Sequence, residues 1–195
     1  MKQVQLFEPD TPLPDGLVYV RDFLTGDEER ALLAHIATLD FHAARYKAYT
    51  AKRRVVSYGS SYDFGDNALR EAPPVPEFLQ PLRAKAAAWV GLPAEDFADA
   101  LIAEYAPGTQ LGWHRDVPDF EDVVGVSLAG ECRMRFRPYP LRANKREGVF
   151  AVTLEARSAY ALRRDVRWRW QHMIAPTPML RYSITFRTRK GRRRA

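Results

Sequence analysis

From about residue 100 onward, apolar residues recur at every second position in short runs, and this alternation restricts the fold more than any other feature of the chain. Cys132, Met134 and Phe136 alternate with Arg133, Arg135 and Arg137. Successive side chains of a β-strand point to opposite faces, so one face of this run enters a core and the other is solvated or meets an anion. For these three arginines the solvated face is the simpler reading. The same pattern predicts strands at 101–105, 111–116, 123–128, 132–137, 149–154, 158–162, 170–173 and 180–188. Eight short strands fit a jelly roll, and the class is α+β, mainly β. In the last strand Leu180, Tyr182, Ile184 and Phe186 share one face, and Arg181, Ser183, Thr185 and Arg187 the other. Two arginines on the polar face suggest an anion site, because guanidinium binds carboxylate bidentately and stays charged.

The first half of the chain supplies helices. Prolines 9, 12 and 14 and Gly16 predict an extended lead into a short strand at 17–20. Thr25 then caps a helix, with Glu28 at the reciprocal capping-box position and Leu32, Leu33, Ile36 and Leu39 as its apolar stripe. Ala72-Pro73-Pro74-Val75-Pro76 breaks the chain before a second helix at 77–90. That helix turns Phe78, Leu79, Leu82, Ala86 and Trp89 inward and ends at Gly91. His35 and His42 read as structural or solvated rather than as ligands.

At 195 residues, 46% of them hydrophobic, one domain is expected over 1–188, followed by a basic tail at 189–195. The net charge of +6 is uneven: three basic and eight acidic side chains lie in residues 1–40, which leaves about +11 for the remainder. This asymmetry favours an anionic partner such as nucleic acid. The single Cys132 excludes an intramolecular disulfide framework. No apolar run reaches the ~20 residues of a membrane span and no secretory signal is evident, so a cytoplasmic location with no membrane partner is expected. Nor does the sequence suggest an obligate protein partner.

Within this frame, Trp113-His114-Arg115-Asp116 places His114 and Asp116 on one strand face, provided the strand continues through them. His172 joins them only if the intervening strands fold back. Two histidines and one carboxylate form the face used by non-haem Fe(II) oxygenases, since it leaves coordination positions open. Upstream, Arg45, Lys47, Lys52, Arg53 and Arg54 are interleaved with Tyr46, Tyr49, Tyr58, Tyr62 and Phe64. Cations can hold phosphates while aromatic rings stack on bases, so this composition suits a nucleic-acid surface. The plainer alternative is a half-buried hairpin with Val55, Val56 and Tyr58 packed inward.

His114-x-Asp116, His172 and Arg181-x5-Arg187 together resemble the signature of AlkB-type Fe(II)- and 2-oxoglutarate-dependent dioxygenases, the alkylation-repair demethylases. The segments 16–24, 101–108, 124–128, 157–162 and 170–174 also look typical of that family. Arg53-Arg54-Val55-Val56-Ser57-Tyr58-Gly59 with Tyr62-Asp63-Phe64 looks like its nucleotide-recognition lid, about 43–75, over a double-stranded β-helix (jelly roll) core at about 100–188 that the N-terminal helices buttress.

The resemblance implies Fe(II) on His114, Asp116 and His172, with O2 as co-substrate. It also implies 2-oxoglutarate, whose far carboxylate would meet Arg181, helped by Tyr105 and Ser183, with Arg187 nearer the metal. Arg53, Arg54, Tyr58 and Tyr62 become the candidates for substrate contact. The implied function is oxidative demethylation of alkylated bases in single-stranded or flipped-base DNA or RNA, a direct-reversal DNA repair. Ala103 and Ser183 stand where the repair enzymes usually carry asparagine, and Pro118 falls near their acidic base-reading position, so cofactor and base contacts are rearranged. Two alternatives remain: a 2-oxoglutarate oxygenase acting on a protein or small molecule, and a non-catalytic nucleic-acid-binding jelly roll.

Overall fold

The alternating second half of the chain folds into two antiparallel sheets. The computed structural model describes residues 13–46, 49–63, 65–141, 143–144 and 147–191, without the side chains of 44–46 and 49–51. Its strands are β1 (Leu17–Val20), β2 (His42–Tyr46), β3 (Tyr49–Tyr58), β4 (Ser60–Asp63), β5 (Ala68–Glu71), β6 (Asp99–Tyr105), β7 (Leu111–His114), β8 (Phe120–Leu128), β9 (Cys132–Pro138), β10 (Phe150–Leu154), β11 (Ala159–Leu162), β12 (Trp170–Ile174) and β13 (Arg181–Arg189). Seven form one sheet in the order β1-β11-β8-β13-β6-β3-β2, and four form a second in the order β10-β9-β12-β7. The strands β4 and β5 pair separately.

Each face of the large sheet has its own apolar layer. On one side, Ile102, Val124, Val126, Ile184 and Phe186 pack against Leu32, Ile36, Leu79, Leu82 and Ala86 from the helices. On the other, Val55, Ala103, Tyr105, Val123 and Tyr160 meet Cys132, Met134, Phe136, Leu154 and Ile174 from the small sheet and its ends. This is a jelly roll with helices covering its larger sheet, as the period-two pattern predicts. Tyr160 pairs in register with Gly125. A Cβ there would lie 2.3 Å from the tyrosine ring, so glycine is what lets Tyr160 lie across the strand.

The helices begin and end where their caps dictate. Thr25 Oγ1 accepts from the Glu28 amide at 3.2 Å and Glu28 Oε2 accepts from the Thr25 amide at 2.7 Å, which starts α1 (Gly26–Ile36). Such a cap contributes about 1 kcal/mol. Lys85 of α2 (Gln80–Val90) donates to both Glu28 oxygens at 2.7 and 2.8 Å, joining the two helices. Gly91 terminates α2 with φ 67°. A 3-10 turn, Glu77–Leu79, replaces the first turn of the expected second helix.

The structure departs from the sequence reading at four places. β7 stops at His114, so Asp116 lies beyond the strand. A short helix, α3 (Arg164–Arg169), fills a connection in which none was expected. The order extends past 188: Arg189 Nε and NH2 donate to buried Asp99 at 2.9 and 3.0 Å, which anchors the last strand. The remaining expected tail, 192–195, lies outside the described residues, as do 1–12, Lys47 and Phe64. Finally, the expected lid at 43–75 includes a strand of the large sheet, β3, which is paired with β6 from Arg54 opposite Glu104 to Tyr58 opposite Ala100. Among the described residues no helix is long and apolar enough to cross a membrane.

Candidate active site

Strand pairing brings the distant histidines together. His114 closes β7, His172 sits in the middle of β12, and the two are direct register partners with ring centroids 4.3 Å apart. Asp116 turns back toward them, its Oδ2 3.7 Å from His172 Nε2. One ligand-type atom from each of the three lies within 4.8 Å of the others. Because the strand ends at His114, alternation alone does not aim Asp116. Arg167 of α3, 2% exposed, donates from NH2 to the carbonyls of Val117 and Phe120, both at 2.7 Å, and so pins the turn that follows it. Arg187 NH2 stands 4.0 Å from Asp116 Oδ1.

The protonation states follow from burial and neighbours. His114 Nδ1 lies 2.8 Å from the Gly112 carbonyl, which can only accept, so Nδ1 carries the proton and Nε2 keeps its lone pair. Burial, with His114 alongside, pushes His172 down to about 3, and burial also lowers His114. Burial opposes ionisation of Asp116, but facing His172, Arg187 and Arg167 outweigh it and hold the carboxyl well below the usual carboxylate range. Two neutral imidazoles and one carboxylate result, a donor set that suits a first-row divalent metal such as Fe(II).

The same cavity holds an anion-binding half. Arg181, 1% exposed, donates from Nε to Ser127 Oγ at 2.9 Å and lies with Cζ 5.1 Å over the Tyr105 ring. Its NH1 is buried without a hydrogen-bond partner, and so is Nε of Arg187. A buried donor left unpaired costs about 1–3 kcal/mol, more when charged, so these two groups call for an acceptor in the cavity. The cavity is also lined by Arg53, Tyr160, Ser183 and Thr185. A dicarboxylate cofactor such as 2-oxoglutarate meets that requirement beside the metal ligands, and the residues present fit both groups.

Of the residues singled out from sequence, His114, Asp116, His172, Tyr105, Arg181, Ser183, Arg187 and Arg53 all line this cavity. Arg54 and Tyr58 do not. They lie on the opposite face of β3 from Arg53 and Val55, because a strand alternates. Arg54 is paired with Glu104 at 2.7 and 2.9 Å, and Tyr58 is buried in the helix-side core. Tyr62 is half-buried on β4 and does not line the cavity. His35 stacks on Phe78 with centroids 4.8 Å apart, and His42 is exposed on β2, so neither joins the site. Sequence reasoning placed Thr185 on the arginine face of the last strand but missed Tyr160, which lines the cavity, and Ser127 and Arg167, which hold Arg181 and the turn after Asp116. Gly125 within an apolar strand was the available sign of a close neighbour, and Tyr160 is that neighbour.

Comparison with known proteins agrees with this geometry. The family model described as the 2OG-Fe(II) oxygenase superfamily matches residues 16–187, a span that contains the whole cavity. The chain belongs to that superfamily. It is 29% identical over 192 residues to the alkylated DNA repair protein ALKBH8 homolog of Arabidopsis thaliana, covering 88% of this chain and 54% of the relative. It is 29% identical over 170 residues to the tRNA (carboxymethyluridine(34)-5-O)-methyltransferase alkbh8 of Xenopus tropicalis, covering 84% of this chain and 26% of the relative. The chain thus spans about half the length of one of these relatives and about a quarter of the other. The solved structure of OsALKBH1 superposes with a TM-score of 0.68 at 16% identity, covering 91% of this chain and 99% of that one. A prolyl-4-hydroxylase of Pseudomonas putida superposes at 0.61, also 16% identical, covering 90% and 94%. These structural likenesses establish the shared jelly roll. Within the superfamily, the curated relatives it is similar to are ALKBH8 homologues.

Proposed function

We propose that this oxygenase oxidatively demethylates alkylated bases in nucleic acid, with His114, Asp116 and His172 as the metal ligands and Arg181 as the anchor of 2-oxoglutarate. The observation that carries the reading is the sharing of one cavity by the triad, the unpaired Arg181 NH1 and Arg53 of β3. The names of the relatives support the polymer: one is called an alkylated DNA repair protein and another a tRNA-modifying enzyme.

The chain's own residues have separable tasks. His114 and His172 present neutral nitrogens and Asp116 an ionised oxygen, which Arg187 holds in place. When bound there, Fe(II) couples oxidative decarboxylation of 2-oxoglutarate to succinate and CO2 with O2-dependent hydroxylation of a nearby C–H bond. Arg181 receives the far carboxylate through NH1, with the Tyr105 ring as its platform and Ser183 beside it. A base within a duplex cannot reach so enclosed a site, so it must be flipped, at a cost of a few kcal/mol that is smaller for a damaged or unpaired base. Hydroxylation of an N-methyl group leaves a hemiaminal, which loses formaldehyde and restores the base.

Incubation with Fe(II), 2-oxoglutarate and methylated single-stranded DNA or RNA, followed by mass spectrometry, tests the proposal. Methyl loss from one polymer with matching formaldehyde and succinate, abolished by His172→Ala, is expected. Succinate formation without methyl loss from either polymer overturns it and directs the search to protein or small-molecule substrates.

A further inference from the structure

The outer face of the small sheet is a second cationic surface, separate from the cavity. None of its four strands, β10, β9, β12 and β7, contains an aspartate or glutamate. Arg133 and Arg135 are exposed on that face and Arg137 half-exposed, while Cys132, Met134 and Phe136 fill the core behind them. Carboxylates elsewhere do not neutralise them: among the described residues Arg133, Arg135, Arg137 and Arg115 make no ion pair. This differs from Arg21, Arg54, Arg163 and Arg189, each of which faces an acidic side chain.

Neutral groups instead orient three of these cations, Arg135, Arg137 and Arg115. Arg137 Nε donates to Gln171 Oε1 at 2.8 Å and its Cζ lies 4.4 Å over the Trp113 ring, with Arg135 on the same ring at 5.8 Å. Arg115 NH1 donates to the Trp168 carbonyl at 3.0 Å and its Cζ lies 4.1 Å over exposed Tyr139. Amide, carbonyl and ring contacts fix a guanidinium while leaving its charge uncompensated. Same-face residues on a strand are separated by about 6.5–7 Å, so Arg133, Arg135 and Arg137 form an evenly spaced row of charge. A row of unpaired cations beside the exposed Tyr139 matches a polyanion with planar bases.

We infer that this face binds the phosphate backbone of a single-stranded nucleic acid. Its position relative to the site supports the inference. Gln171 and Trp113 are the chain neighbours of His172 and His114, and β7 is the edge strand between the outer face and the cavity. A strand bound on the outer face and passing over that edge delivers a nucleotide toward the triad. This delivery role rests on the nucleic-acid reading of the cavity, whereas binding on the face does not.

Binding is therefore measured without turnover. Fluorescence anisotropy of labelled, unmodified single-stranded DNA and RNA oligonucleotides is followed across salt concentration. The probes are titrated with the wild type, the Arg133→Gln/Arg135→Gln/Arg137→Gln triple variant and the corresponding triple lysine variant. The glutamine variant is expected to bind on the order of tenfold more weakly, with the salt slope reduced by about 2, near 0.7 per lost phosphate contact. The lysine variant, which keeps the charge, should retain most of the slope. All three substitutions are on the solvent side, and thermal melts confirm that each variant is folded. Wild-type affinity and slope in the folded glutamine variant overturn the inference. So does loss of binding to polyglutamate while oligonucleotide binding is unchanged, since that outcome assigns the face to an acidic protein. If the oligonucleotides bind as expected but no methylated polymer is turned over, the face stands and only the demethylase reading fails.

Discussion

Arg181 Nε donates to Ser127 Oγ at 2.9 Å across β13 and β8, and this bond leaves NH1 of the same guanidinium as a buried donor with no acceptor. One end is fixed and the other is committed to an incoming anion. Arg181→Ala is therefore expected to weaken 2-oxoglutarate binding by several kcal/mol, a loss of more than about 100-fold, with metal binding retained. Arg181→Lys should recover little, because an ammonium cannot reproduce the fork. Ser127→Ala should cost about 1 kcal/mol by loosening the fork. Calorimetric titration of 2-oxoglutarate into each Mn(II)-loaded variant reads these effects, and wild-type affinity in Arg181→Ala would remove this residue from the cofactor site.

The two faces of β3 predict separable defects. Arg53 lines the cavity, whereas Tyr58 lies in the helix-side core and Arg54 pairs with Glu104 on that same side. Tyr58→Ala should destabilise the fold by about 3–5 kcal/mol without lowering nucleic-acid affinity per folded molecule. Arg54→Ala removes a bidentate partner from the largely buried Glu104 and should lower stability modestly without lowering affinity. Arg53→Ala should lower turnover and affinity while the melting temperature stays near wild type. Thermal melts paired with oligonucleotide titrations decide it. Equal binding losses in the Tyr58 and Arg53 variants would return both faces of β3 to the substrate surface.

These cases show what the sequence could carry. Alternation of buried and exposed residues made β9 legible, whereas β8, β11 and β13 are buried nearly throughout. β8 and β11 were legible as short apolar runs between turn residues, and Thr25 with Glu28 marked the start of α1. The convergence of His114, Asp116 and His172 was legible from the wider resemblance rather than from spacing, since a histidine and an aspartate two apart are common by chance. Tyr58 takes the inward position of the plainer hairpin alternative, and composition could not choose between the two readings because both faces of β3 are covered and aromatic and charged residues fall on each. Helix α3 was missed because Arg163-Arg164-Asp165-Val166-Arg167-Trp168-Arg169 lacks a side-chain cap and carries only two apolar residues. Tyr160 joins the cavity, and Ser127 reaches Arg181 behind it, through strand register, which a linear pattern does not specify.

Stability of the metal-free protein should fall as pH is lowered from neutrality. His172 titrates near 6.5 when unfolded and is pushed down to about 3 by burial in the folded chain. Above that window both states hold a neutral imidazole, so this residue contributes no pH dependence. Within it the unfolded chain binds a proton that the folded one excludes, and ΔG of unfolding declines as pH falls. Lowered His114 acts in the same direction. Urea titrations at about pH 7.5 and about pH 5 should differ by a few kcal/mol in the wild type and by less in His172→Gln. An identical pH dependence in the two proteins would show that His172 is not held neutral by burial.

Arg167 offers a test of how Asp116 is aimed. The carboxylate follows a strand that has already ended, and the turn after it is held by Arg167 NH2 on the carbonyls of Val117 and Phe120. Arg167→Met keeps most of the side-chain volume but leaves two carbonyls without their donor, which should cost about 1–3 kcal/mol of stability. It also frees the turn, so metal affinity should drop about 10–100-fold, as is typical when a supporting hydrogen bond behind a ligand is removed. Arg167→Lys retains a donor and a charge and should recover much of that affinity. A purely structural role would lower the melting temperature but leave the metal dissociation constant of the folded protein unchanged. Competition titrations with Mn(II) or Co(II), carried out well below the melting temperature of each variant, separate the two. An unaltered dissociation constant in Arg167→Met would show that Asp116 is positioned by Arg187 and its neighbours alone.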